Sequence, residues 1–152
     1  MSAPTVVQRL AGLAADTREN GLPEGLREDV ARRVLDVLGN SLAATGEVSA
    51  AAVTAVVRGW GGPEDATAIG TGLRVPAAAA ALVNGTLAHS LDFDDTHLPS
   101  VLHPSSSVVP AALAVAEATG ATGAQMLDAA VDSSPDAARL LPTRSSTRRA
   151  TS

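Results

Sequence analysis

Residues 88–107, AHSLDFDDTHLPSVLHPSSS, gather the side chains of this chain best suited to moving a proton. The stretch holds all three histidines (His89, His97 and His103), together with Asp92, Asp94, Asp95, Thr96 and the serines Ser105, Ser106 and Ser107. If the preceding helix continues through it, Asp92 and Thr96 share one helical face. Asp95 then lies close to that face and Asp94 points away from it. His103 follows after a short loop. The serines, with the free N–H groups of a helix beginning near Val108, make an anion site suited to a carboxylate. A carboxylate, a hydroxyl, an imidazole and an anion-binding helix start are the parts needed to transfer a proton beside a carboxylate group.

Other readings fit the same residues. Asp92, Asp94 and Asp95 can be plain capping and surface charges at a solvated helix end. Aspartate and histidine are also metal ligands, but no tight histidine pair of the HExxH kind is present. One helix face does not bring these residues together, so no metal is expected. A magnesium–diphosphate site of the terpenoid-cyclase kind needs aromatic walls, and the aromatic residues here are Trp60 and Phe93 alone. His89, one turn before Phe93, is expected as a hydrogen-bonded core or boundary histidine rather than a catalyst. His97 either lines the pocket or faces water.

The elements around this stretch read as helices. Residues 4–15 form a short one, interrupted by GLPEG at 21–25. From Leu26, the apolar positions Val30, Val34, Val37, Leu38 and Leu42 recur at helical spacing as far as Thr45-Gly46. Ser49 is placed to cap the next helix, with stripe Val53, Val56, Val57 and Trp60 and a stop at Gly61-Gly62. ATAIGTGLRV, 66–75, reads as a short hairpin or extended connection, and Pro76 opens a helix that carries the alanine run toward Leu91. VVPAALAVAEAT, 108–119, is a further buried helix, and Thr122 with Gln125 forms a capping-box pattern for one starting near Gly123. The fold class is all-α with a short β-hairpin, its core built of small aliphatic side chains.

Composition narrows the function. The 152 residues are 45% hydrophobic and 18% charged, which is globular. A formal charge of −5 gives no basic face for nucleic acid. With no cysteine, disulfides and thiolate chemistry are excluded. All eleven basic residues are arginine, so lysine Schiff-base chemistry is excluded as well. The apolar run PAAAAALV, 76–83, is far short of the about 20 residues of a membrane helix, and no signal peptide is apparent. A soluble protein without nucleic-acid or membrane partners is expected. From Asp132 the pattern changes: residues 1–131 hold 7 Arg against 14 acidic residues, whereas 132–152 hold 4 Arg against 2. Residues 132–152 are expected to be a disordered tail or one foreign to the fold, the product of a shifted reading frame.

RVPAAAAALVNGTLAHSLDFDDTH, followed by HPSSSVVPAALAVAEATGATG, closely resembles the MmgE/PrpD family, which includes 2-methylcitrate dehydratases and cis-aconitate decarboxylases. LPEGLREDVARRVLDVLGNSLAAT is similar to the family's early helix, so residues 1–131 are expected as a partial N-terminal helical domain. The resemblance implies a lyase acting on small di- or tricarboxylates, homodimeric, cytoplasmic or mitochondrial, and working without metal or organic cofactor. For this chain a cytoplasmic location is expected. Carried onto this chain, the active-site positions match Asp92, Thr96 and His103. His103 would be the acid or base, with Asp92 and Thr96 positioning it or the substrate, and Ser105 and Ser106 would bind the substrate carboxylate. Members of the family also use later histidine and lysine residues, which this sequence lacks. The chain alone is therefore expected to be inactive and to self-associate. The alternative is a non-catalytic remnant or helical interaction module.

Overall fold

A computed structural model describes residues 4–98 and 100–132. Its order is α1 (Val6–Asn20), α2 (Glu24–Ala43), a 3-10 turn (Ala44–Gly46), α3 (Val48–Trp60), β1 (Ala66–Ala68), β2 (Leu73–Val75), α4 (Ala77–His89), α5 (Ser105–Thr119) and α6 (Gly123–Asp132). This is the all-α architecture with a short antiparallel hairpin that the sequence implies. No helix among the described residues is long and apolar enough to cross a membrane. The tail expected over 132–152 lies, beyond its first residue, outside the described residues.

Helix starts follow local chemistry at two places. The Thr5 hydroxyl accepts from the Gln8 N–H while the Gln8 side chain accepts from the Thr5 N–H, so α1 carries a capping box and runs to Asn20, past the expected 4–15. Thr122 and Gln125 make the same reciprocal pair before α6, as their spacing predicts. Ser49 does not cap α3. Glu47 occupies that position without a side-chain bond, and the Ser49 hydroxyl instead meets that of Ser90 at 2.8 Å.

The centre of the fold is α4, which packs on α2, α3, α5 and the hairpin. A helix enclosed on several sides must be small all round, and its buried positions are Ala79, Ala80, Val83, Asn84, Leu87 and Ala88. Asn84 accepts from the Ile69 N–H at 2.8 Å and donates to the Thr67 carbonyl at 2.9 Å, which pins the hairpin to the helix. The Thr67 N–H and hydroxyl both donate to the Glu117 carboxylate, tying the same strand to α5.

Close approach of α4 to α5 depends on Gly85, where an added Cβ would stand 3.1 Å from the Ser106 carbonyl oxygen. Pro110, buried inside α5, has no N–H to donate to that carbonyl four residues back. Two apolar clusters meet along α4. Val57, Val75, Val83 and Leu87 belong to one, and Val34, Val37, Ala88, Val109 and Val131 to the other.

The helix expected to run from Pro76 toward Leu91 stops at His89, so it does not continue through the charged stretch. The Ser90 hydroxyl bonds back to the Thr86 carbonyl at 2.6 Å, and the Asp92 N–H closes a turn on the His89 carbonyl at 3.1 Å. Asp92 itself takes a left-handed conformation, φ 55°, which aspartate tolerates better than most residues. Asp92 and Thr96 therefore share no helical face. A loop of residues 90–104 joins α4 to α5.

Candidate active site

Two adjacent aspartates fix this loop, and they work in different places. Asp95 faces the helices. Its Oδ2 is 2.6 Å from Arg33 Nη1 on α2, and its Oδ1 accepts from the Ser105 N–H at 3.0 Å, so it clamps the start of α5 to α2. Asp94 holds the histidines, and its side chain is fully shielded from solvent. His89 Nδ1 lies 3.0 and 3.1 Å from its two oxygens, and His103 Nδ1 lies 3.5 Å from Oδ1. The two imidazoles converge on it with ring centroids 4.9 Å apart and planes tilted by 58°.

Burial acts to raise the Asp94 pKa, but hydrogen bonds from Ser106 and His89 outweigh it and hold the group below its ordinary value. Asp94 is thus a carboxylate and can only accept. The His89 Nδ1 that contacts it must carry the proton. The single Ser106 hydroxyl proton is shared between Asp94 and the His103 backbone carbonyl, 3.0 Å away, which ties the start of α5 to the histidine-bearing loop.

Of the residues singled out in the sequence, the structure brings Asp92 and His103 together, with one polar side-chain atom of each of His89, Asp92, Asp94 and His103 lying within 4.8 Å of the others. Asp92 is exposed and His103 half-buried. Thr96 is exposed on the outer part of the loop and takes no place on a face shared with Asp92. His97 is spent on the loop itself: its N–H donates to the Leu102 carbonyl at 2.8 Å, and its Nδ1 meets the Ser100 hydroxyl at 2.6 Å. Ser105 is buried and its N–H is occupied by Asp95, so the first amide of α5 already holds an internal anion. Ser106 and Ser107 line a cleft of about 510 Å³ between α4 and α5, together with Gly85, Thr86, His89 and Ser90.

Sequence reasoning misplaced one member of the cluster. Of the two settings expected for His89, the structure gives the hydrogen-bonded boundary histidine and not the core one: its side chain is 53% exposed, hydrogen-bonded to Asp94, and on the cleft wall. Asp94, expected to point away from the site, is its buried centre. The ground for expecting no metal also fails, because the fold of the loop gathers four donors that one helix face would keep apart. Two nitrogens and two carboxylates are a donor set that a divalent cation can use. A metal bound through His89 Nδ1 would displace that atom's proton and its hydrogen bond to Asp94.

The fold is thus a helical domain that buries a carboxylate under two imidazoles beside a cleft between α4 and α5. The chain belongs to the MmgE/PrpD family: the MmgE/PrpD N-terminal domain matches residues 8–134. It is 34% identical over 119 residues to a cis-aconitate decarboxylase of Mus musculus, an alignment covering 78% of this chain and 24% of the relative. It is also 46% identical over 59 residues to a cis-aconitate decarboxylase of Homo sapiens, covering 39% of this chain and 10% of that relative. The chain thus spans about a quarter of the length of the mouse relative.

Proposed function

We propose that this chain is the His103-bearing part of a lyase acting on small di- or tricarboxylates by decarboxylation or dehydration. The observation that carries this is the grouping of Asp92, Asp94, His89 and His103 within 4.8 Å, with His89 on the wall of the cleft between α4 and α5, in a chain of this family. In a decarboxylation, the bond from carbon to a carboxylate breaks, carbon dioxide leaves, and His103 supplies the proton taken up by the carbanion left behind. In a dehydration, the same imidazole removes a proton α to a carboxylate, and the hydroxyl leaves as water after protonation. Asp92, exposed beside His103, orients it or the substrate's polar groups. Thr96, exposed elsewhere on the same loop, and Ser106 with its neighbour Ser107 on the cleft wall are the hydroxyls proposed for the substrate's polar groups.

Kinship with decarboxylases favours carbon dioxide release over dehydration. Activity without an organic cofactor, homodimeric assembly and a cytoplasmic setting belong to the same proposal and rest on the family alone. Titration calorimetry of the purified chain with cis-aconitate tests the ligand class. Binding is expected, and it should be lost in both His103→Gln and Asp92→Asn. Equal binding by both variants would show that the carboxylate sits elsewhere.

A further inference from the structure

A buried carboxylate needs partners, and those of Asp94 are unusual in kind. Two imidazoles from different elements, His89 from the end of α4 and His103 from the end of the loop, direct the same ring atom at one side chain. We propose that Asp94 is a positioning residue: it holds His89 and His103 as Nδ1–H tautomers and leaves the Nε2 atom of each free to exchange a proton with a bound carboxylate. His89 thereby becomes a second proton-handling ring on the cleft wall. The inference rests on the lyase proposal only for the identity of that ligand.

Three features carry it. The carboxylate offers acceptors and no donor, so a ring nitrogen that turns toward it must bring a proton. His89 Nδ1 spans both oxygens at 3.0 and 3.1 Å. His103 Nδ1 is shut off from solvent without a hydrogen-bond partner among the described residues, and the group it faces is Asp94 Oδ1 at 3.5 Å. A small rotation of the ring completes that bond, as happens when catalytic contacts tighten around a ligand. The frame is also rigid: Ser106 contacts Asp94 and donates to the backbone carbonyl of His103, and the neighbouring Asp95 is locked to Arg33 and to α5. Nε2 lies on the opposite edge of each imidazole from Nδ1. For His89 that edge belongs to a half-exposed ring that lines the cleft.

Long-range nitrogen–proton NMR of the histidine rings tests this on the full chain, at a pH where the rings are neutral. With three histidines in the sequence, His97 is the internal control, because its Nδ1 contacts the Ser100 hydroxyl and not Asp94. His89 and His103 should show protonated Nδ1 and bare Nε2. In Asp94→Ala, both should move toward the Nε2–H form that free histidine prefers, with His97 unchanged. Asp94→Asn, which keeps the shape and removes the charge, serves if the alanine variant does not fold. Finding His89 and His103 as Nε2–H tautomers in the unsubstituted chain overturns the inference, and so do ring signals that ignore both substitutions. Adding tricarballylate, a saturated tricarboxylate, then separates the two proposals. Movement of both Nε2 signals supports both. Correct tautomers with no response to tricarballylate leave Asp94 in its role and count against the lyase reading.

Discussion

Ala88 and His89 are neighbours in α4, yet they belong to regions built on different physics. Up to Ala88, the helix is held by apolar contact on several sides: Val83, Leu87 and Ala88 are fully buried against α2, α3, the hairpin and α5. From His89 to Ser106, the chain is held by charge and hydrogen bonds, with Asp94 beneath two imidazoles and Asp95 between Arg33 and α5. The packed region needs only small apolar residues at the right spacing, and many sequences satisfy that. The polar region needs particular groups at particular distances. The difference explains why one chain can carry a tolerant scaffold and an exacting site side by side.

The largest effect should come from the packed side. Leu87→Ala removes a fully buried side chain from a core of small residues with little to refill the space, and should cost about 2–5 kcal/mol in urea unfolding. A cost below about 1 kcal/mol would mean that α4 is not the centre of the fold. On the polar side, Arg33→Ala removes one arm of the Asp95 clamp. The pair is neither exposed nor fully buried, so the loss should be about 1–3 kcal/mol, between the values for surface and buried pairs. Its clearer signature is hydrogen exchange, faster across residues 92–104 and unchanged at Val83 and Leu87. Uniform acceleration would erase the distinction between the regions.

The smallest effect is in acid. Asp94 has a folded-state pKa below its unfolded value of 3.8, so the unfolded chain binds more protons in that window. Its contribution to stability is therefore complete above the unfolded pKa and is lost as pH falls through the folded one. Comparing Asp94→Asn with the unsubstituted chain should show a stability gap that closes below about pH 4. A gap that widens in acid would mean that Asp94 is protonated in the native state.

Much of the packed region was legible in the sequence. The stripe Val30, Val34, Val37 placed α2, two glycines in ATAIGTGLRV marked the hairpin, and Thr122 with Gln125 announced α6. The site was legible in part, as the residue types of one short stretch. Its geometry was not, because a helix end near Leu91 does not say how the loop beyond it folds. That loop has Asp92 in a left-handed turn and Asp95 reaching Arg33, 62 residues away in the chain. Once the helix stops, Asp94 turns inward under the histidines and Thr96 is left outside. The contacts of Asp94 with His89 and His103 are ones that a helical projection, by turning Asp94 away, does not show.

The central claim is that the loop from His89 to Ser106 carries carboxylate-lyase chemistry through His103. A chimera tests it most directly: the 119 matched residues of the mouse cis-aconitate decarboxylase are replaced by those of this chain, and carbon dioxide release from cis-aconitate is followed. The chimera should decarboxylate, and His103→Ala within it should lower the rate by roughly 10²–10⁴-fold, the usual contribution of a general acid or base. A chimera that turns over equally well with alanine at position 103 would contradict the account.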